Sequence, residues 1–325
     1  MNLSLNEEQL LVLKFSNEIL NEVKKVIIGK DEIILKILLA ILSGGHVLIE
    51  DIPGVGKTTL ALALSKALSL DYKRMQFTPD VLPTDVTGFN IYNKENNRFE
   101  FKKGAAFTNL FLADEINRTS SKTQSALLEV MEEGKVTVDG VTYKMPEPYV
   151  VIATQNPVGS VGTQLLPESQ MDRFMIRLSM GYPELENEVE MLRSKQNFTT
   201  LESVSAIVSA GDIIKARKIV EQIFVSDSIL TYVAMLAKET RNNQYIKLGL
   251  SPRGSIALLR MSKAAALLQG RDYVIPDDVI YCFNDVVQHR LVFSSKAKIN
   301  GTTGKDILNQ IISQVPVPNI TQERG

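Results

Sequence analysis

Gly56-Lys57-Thr58 and Asp114-Glu115 are the residues whose types and spacing point to chemistry in this chain. A lysine behind a glycine turn can hold the β- and γ-phosphates of a nucleoside triphosphate. Loop N–H groups point at the same anion, and the next hydroxyl, on Thr58, is available to Mg²⁺. Gly54, Val55, Gly56, Lys57, Thr58 and Thr59 would form this cradle. The paired acids suit a divided task. Asp114 would hold the Mg²⁺ shell through water, while Glu115 would orient and deprotonate the water attacking the γ-phosphate. A bare Gly-Lys-Thr also occurs in ordinary strand–turn–helix connections, and a bare Asp-Glu pair is usually solvated surface. Their meaning rests on the elements around them.

Those elements are readable. Val47-Leu48-Ile49 is a short apolar run suited to a buried strand, and Thr59–Leu70, rich in Ala and Leu, reads as a helix. Strand, glycine loop and helix place the lysine at a helix N-terminus, where anions are favoured. The first position of the phosphate-loop pattern asks for glycine and holds Asp51, whose side chain is expected to turn outward. Leu110-Phe111-Leu112-Ala113 reads as a central parallel strand with both acids at its carboxyl edge, where open α/β sheets bind ligands. Tyr149–Ala153 is a further buried strand, and Asn156 just beyond it could hydrogen-bond the attacking water or the γ-phosphate; a plain turn residue is the alternative. Tyr72–Phe77 and Phe174–Met180 complete five strands.

Upstream, Asn6–Val26 carries apolar residues at helical spacing, and Asp31 is expected to cap a second helix over Ile33–Leu42. Gly29 between them suits either an adenine pocket or a plain turn. Two hairpins are expected, Gly88–Tyr92 with Arg98–Phe101, and Lys135–Val138 with Val141–Tyr143 around Asp139-Gly140. An amphipathic helix covers Thr123–Glu133. Beyond about Glu184 the pattern is helical throughout, at Glu184–Arg193, Ser203–Ala210, Ile213–Ile223, Asp227–Arg241, Ser255–Gln269 and Pro276–Arg290; the tail from Thr302 is expected to fray.

Composition bounds the rest. A chain of 325 residues, 44% of them hydrophobic, suits two domains with a sizeable core. With 36 basic against 37 acidic residues, no global field favours nucleic acid or an anionic membrane. The single cysteine, Cys282, excludes an internal disulfide, suits a reducing compartment and reads as a buried structural thiol. Met1-Asn2-Leu3-Ser4 lacks a signal peptide's basic start, and the longest apolar run, Ile33–Leu42, is too short to span a bilayer. A cytoplasmic protein without membrane insertion is expected. His46 and His289 read as structural, with no zinc spacing.

The ordered set resembles the AAA+ ATPases, and within them the MoxR group. The resemblance is carried by Glu50–Thr58, Leu112–Arg118, Leu127–Gly134, Ile152-Ala153-Thr154-Gln155-Asn156-Pro157, Pro167–Phe174 and Ser251-Pro252-Arg253. It spans nearly the whole chain. Lys103-Gly104-Ala105-Ala106 departs from it where relatives tend to carry Gly-Pro, while Asp51 follows the group's habit. The fold so implied is α/β, a P-loop NTPase (AAA+) with a three-layer αβα parallel five-stranded sheet, insert hairpins and a C-terminal all-α lid. Residues 1–182 would form the nucleotide domain and 183–325 the lid. Lys57 lies in Walker A and Asp114-Glu115 in Walker B; the resemblance makes Asn156 sensor 1, Arg173 the arginine finger and Arg253 sensor 2, reaching the nucleotide from the lid. A guanidinium suits charge on a migrating phosphoryl group, and Arg118 is a second candidate for that task. The alternatives are a salt bridge from Arg173 to Asp172 or another acid and a surface role for Arg253.

The function implied is Mg²⁺-dependent ATP hydrolysis by a homo-oligomeric ring, a hexamer, that remodels a protein client; related proteins often act with von Willebrand A domain partners. ATP over GTP follows from the resemblance alone. Two further readings stand beside it, a nucleotide-gated binding scaffold with little turnover and a magnesium-chelatase-type subunit.

Overall fold

The computed structural model describes residues 5–156, 166–196 and 201–319. The opening Met1–Ser4, Pro157 of the Asn156-Pro157 pair and the last residues of the tail lie outside them.

Helix α1 (Glu7–Lys24) starts at a reciprocal cap in which Asn6 and Gln9 each accept from the other's backbone N–H. Its stripe of Val12, Phe15, Ile19 and Val23 is buried. The N-cap position of helix α2 (Asp31–Leu42) falls on Lys30 rather than Asp31, and the Lys30 side chain makes no cap hydrogen bond. Asp31 sits inside the first turn, where its charge complements the helix dipole. Strand β1 (Val47–Glu50) leads through the glycine turn into α3 (Lys57–Ala67), and β2 (Tyr72–Gln76) follows.

A short helix α4 (Pro83–Thr87) precedes the first hairpin, β3 (Gly88–Asn93) with β4 (Arg98–Lys103). Gly88 and Gly104 face each other at its base. A Cβ on Gly104 would lie 2.2 Å from the Val86 carbonyl and 2.5 Å from the Gly88 nitrogen, so only glycine fits. Beyond Gly104 the chain runs back beside α4, with the N–H groups of Ala105 and Ala106 donating to the carbonyls of Asp85 and Val86. Then come β5 (Leu110–Asp114), α5 (Ser121–Glu133), the second hairpin β6 (Lys135–Val138) with β7 (Val141–Lys144), β8 (Val150–Gln155), the single turn α6 (Glu168–Met171) and β9 (Ile176–Leu178). Asp139 and Gly140 both take positive φ, +48° and +79°, as a two-residue hairpin turn requires.

Five strands make one parallel sheet in the order β2-β5-β8-β1-β9. Alternation divides its side chains between two cores. Val47, Ile49, Leu110, Leu112, Val150 and Ile152 face one, shared with α1, α2 and α3. Leu48, Phe111, Ala113, Val151 and Ala153 face the other, which is closed by residues of α5 and the second hairpin. This is the αβα layering expected, with both hairpins standing off the sheet.

Past β9 the chain is helical: α7 (Leu185–Gln196), α8 (Ala210–Glu221), α9 (Asp227–Asn242), then, after the short strand β10 (Ile246–Leu248), α10 (Pro252–Leu268) and α11 (Pro276–Val287). Strand β11 (Val292–Phe293) pairs antiparallel with β10, and α12 (Ser295–Ile299) and α13 (Gly304–Gln314) follow. Helices α8 and α10 pack on α1 and α2, so one apolar core runs from the N-terminal helices into the lid. Two expectations fail here. Residues 204–209 are not helical: the Ile207 N–H donates to the Ala67 carbonyl, and the capping box of Ser209 with Asp212 starts α8 at Ala210. The tail is a helix through Gln314, capped by Thr303 and Asp306, with Ile307, Leu308 and Ile311 buried. Cys282 is buried, and burial pushes its thiol up out of reactive range. Among the described residues no helix is long and apolar enough to cross a membrane.

Candidate nucleotide site

The turn after β1 is built on two left-handed glycines, Gly54 at φ +88° and Gly56 at φ +92°. A side chain at either would be strained. Gly56 also serves as the N-cap of α3 and offers no side-chain oxygen to the helix's first N–H groups. Those donors are left for an anion. Val55 packs against the core, and Thr58 and Thr59 occupy the first helical turn, half-buried. Lys57 is buried with its Nζ donating to the Asp51 carbonyl at 2.8 Å. Burial holds its ammonium below its ordinary pKa, against the opposing charges of Asp114, Asp51 and Glu115.

The Asp51 side chain does not turn outward. It is buried, accepting from the Gly181 N–H at 2.7 Å, the Ser179 hydroxyl at 3.1 Å and the Ile52 N–H at 2.8 Å. Three donors satisfy the acid and fasten the phosphate loop to the chain leaving β9. The same segment meets Gly29 from the other side. Lys30 Nζ donates to the Tyr182 carbonyl at 2.9 Å and also to that of Met180. A Cβ on Gly29 would lie 2.3 Å from Asn187 of α7, so Gly29 (φ +69°) lets the lid's first helix approach. This places Gly29 beside the loop's flank, and close packing with a turn is what its glycine serves.

The twin acids lie two strands from the loop, across β8, at the same carboxyl edge. Asp114 Oδ1 accepts from the Thr154 hydroxyl at 2.6 Å and Oδ2 from Arg74 Nη2 at 2.7 Å. Glu115 steps out of the strand at φ +57°. Its Oε1 accepts from Asn156 Nδ2 at 3.0 Å; its Oε2 accepts from Arg118 Nη1 at 2.7 Å and Gln76 Nε2 at 2.8 Å. Burial pushes this carboxyl up, but the donors Arg118 and Asn156 outweigh it and hold the group below the usual carboxylate range. Asn156 is itself pinned through its backbone by Asn117, and its Oδ1 is buried with no partner among the described residues. A buried acceptor left open beside a carboxylate suits a water or phosphate ligand. Hard oxygens on Asp114 and Thr58, and no cluster of three acids or histidines among the described residues, fit Mg²⁺ held largely by phosphates and water.

Arg173 and Arg253 are elsewhere. Both donate to Glu132 at the end of α5: Arg173 Nε to Oε2 at 2.7 Å, and Arg253 Nη2 to Oε1. With Gly45 and His46 they line a cavity of about 440 Å³. His46 precedes β1 and Asp51 follows it, so the cavity and the phosphate loop lie on opposite edges of the sheet, separated by the four residues of β1, about 13 Å. Arg253 is therefore not at the phosphate loop of its own chain, contrary to the expected reach from the lid. The salt bridge expected as the alternative for Arg173 is made to another acid, Glu132, and not to Asp172, which accepts from Arg290 Nε at 2.8 Å and the Ser251 hydroxyl at 2.9 Å. Arg118, bound to Glu115, stands apart from both. His46 bridges the Met131 carbonyl and the Val151 N–H, and His289 meets the Phe174 carbonyl; burial keeps both rings neutral.

Sequence reading missed Arg74, Gln76, Thr154 and Glu132. Arg74 and Gln76 are two apart on β2, whose register sets Gln76 beside Asp114. A polar pair on a strand bordering the acids was the available signal. Glu132 gave none, being one of three acids in Glu129–Glu133.

Sheet order, glycine turn and helical C-terminal part define a P-loop nucleotide-binding fold. The family model "ATPase family associated with various cellular activities (AAA)" matches residues 46–176, and "AAA lid domain" matches 238–311. The chain is 47% identical to the uncharacterized protein YeaC of Bacillus subtilis, over 91% of this chain and 92% of that protein. It is 38% identical to the chaperone MoxR1 of Mycobacterium tuberculosis, over 92% and 81%. A crystal structure from Cytophaga hutchinsonii, described as a candidate ATPase, superposes with a TM-score of 0.90 at 38% identity, covering 96% of this chain and 98% of that one. The chain belongs to the MoxR family of AAA+ ATPases.

Proposed function

We propose that this chain binds Mg²⁺–ATP between the Gly54–Thr59 turn and the Asp114-Glu115 pair and hydrolyses its β–γ bond. Lys57 and the uncapped N–H groups of α3 hold the phosphates; Asp114 and Thr58 would hold Mg²⁺, which supplies charge neutralisation on the phosphoryl oxygens. Glu115, kept ionised by Arg118 and Asn156, takes the proton of the attacking water, and Asn156 positions that water. Gly29 borders the base side.

The observation that carries the reading is the opposite placement of acids and arginines. Lysine and carboxylates share one edge; Arg173 and Arg253 occupy the other, where they serve the ATP of an adjoining copy. Head-to-tail contacts of that kind close into a ring, as in a hexamer. A ring turning over ATP can move its two hairpins against a protein client, in keeping with the name chaperone MoxR1; a von Willebrand A domain partner and a cytoplasmic setting belong to this reading. The test is Glu115→Gln with light scattering. The variant should bind ATP and assemble as the parent does, yet lose turnover by about 10² or more. Parent-rate hydrolysis removes Glu115 as base, and a persistent, fully active monomer removes the ring.

A further inference from the structure

One carboxylate holds two arginines. Glu132 accepts Arg173 through Nε and Arg253 through Nη2, one on each oxygen. All three side chains are partly exposed, at 34%, 28% and 45% for Glu132, Arg173 and Arg253. Behind them lies a hydrogen-bonded network. Asp172, next to Arg173 in the chain, accepts from Arg290 and from Ser251, and Ser251 caps the helix that carries Arg253. Arg290 is buried among the carbonyls of Phe174 and Met175, and burial lowers its pKa to about 10 against the pull of Asp172. Lid and sheet domain are thus fastened one residue from Arg173 and two from Arg253.

The atoms used decide what Glu132 does. Among the described residues Arg173 bonds through its Nε, which leaves the Nη1–Nη2 fork, the edge suited to two parallel bonds with a phosphate. An anion that competed with phosphate would sit on that fork. We infer that Glu132 is a positioning residue: it fixes Arg173 and Arg253 as one pre-oriented pair aimed out of the subunit, for the terminal phosphate of a neighbouring copy's nucleotide. Two free guanidiniums side by side repel and wander; a shared carboxylate removes both costs before assembly. This rests on the arginines acting across a subunit boundary.

The experiment is complementation by mixed assembly, with Arg173→Ala as reference. Glu132→Ala alone should lower kcat at least tenfold, with KM for ATP and affinity for a fluorescent ATP analogue within twofold of the parent, because its own phosphate loop is intact. Glu132→Gln, which keeps one acceptor, should fall between. Mixed with excess Glu115→Gln chains, which cannot hydrolyse but retain Glu132, each Glu132→Ala chain should regain at least fivefold in rate, as should each Arg173→Ala chain. Parent kcat in Glu132→Ala overturns the inference. So does recovery with Arg173→Ala but not with Glu132→Ala. Recovery with neither removes the cross-subunit reading itself, and this inference with it. Should Glu132→Ala fail to fold, Glu132→Gln carries the same test.

Discussion

Asn156 donates its side-chain N–H to Glu115 at 3.0 Å, while its side-chain amide oxygen is buried with no partner among the described residues. One amide thus steadies the base and keeps an open acceptor beside it. Asn156→Ala removes both and keeps the two backbone bonds to Asn117. We expect kcat to fall by about 10- to 100-fold, with ATP affinity changed far less. Single-turnover rates beside equilibrium binding separate the two; an equal loss in both would make Asn156 a binding residue.

The ionisation of Glu115 gives a pH prediction. Its folded pKa lies below the ordinary value because Arg118 and Asn156 outweigh burial. The base therefore stays charged to lower pH than an ordinary glutamate, and its contribution to stability is lost as pH drops through the lowered value. Arg118→Ala removes one donor and leaves burial in place, so the Glu115 titration should move to higher pH. Carboxyl NMR of the folded chain reads this directly, and an unmoved titration would count against the Arg118 contact.

Asp51→Gly restores the commoner phosphate-loop residue and should still harm the protein. It strips the acceptor from the Gly181 N–H and the Ser179 hydroxyl, both close to the chain's exit from the sheet. Leaving such donors unpaired costs about 1–3 kcal/mol. The urea midpoint should fall accordingly, and a stabilised variant would contradict the contact's role.

Much of this was legible in sequence where pattern and chemistry coincide. Val47–Ile49 and Leu110–Ala113 are apolar runs ending in chemically distinctive residues, so strand, edge and site came together. The insert hairpins announced themselves by alternation and Asp139-Gly140. Less local features were hidden. Asp51 looks like a charge needing water because its donors lie far along the chain, at Ser179 and Gly181. The edge reached by Arg253 depends on how the lid docks, which no periodicity encodes. Helix α13 was masked by polar residues around its three buried contacts, Ile307, Leu308 and Ile311. An Ile311→Ala variant should therefore cost about 2–5 kcal/mol by thermal unfolding, as a core deletion does.

Arg74 bears on metal dependence. Its Nη2 and Nε reach Asp114 Oδ2 at 2.7 and 3.2 Å, and Nη2 also meets Gln76 Oε1 at 3.1 Å. Asp114 Oδ1 is already taken by Thr154, so both carboxylate oxygens are engaged. A cation calling on Asp114, directly or through water, competes with a guanidinium that stands on the same oxygen. Arg74→Gln removes the competing charge and keeps a polar side chain on the strand. The Mg²⁺ concentration for half-maximal turnover should fall several-fold, and the salt dependence of that midpoint should weaken. A rise would mean instead that Arg74 holds Asp114 in its ligating pose, and a Mg²⁺ titration at saturating ATP distinguishes the two directions.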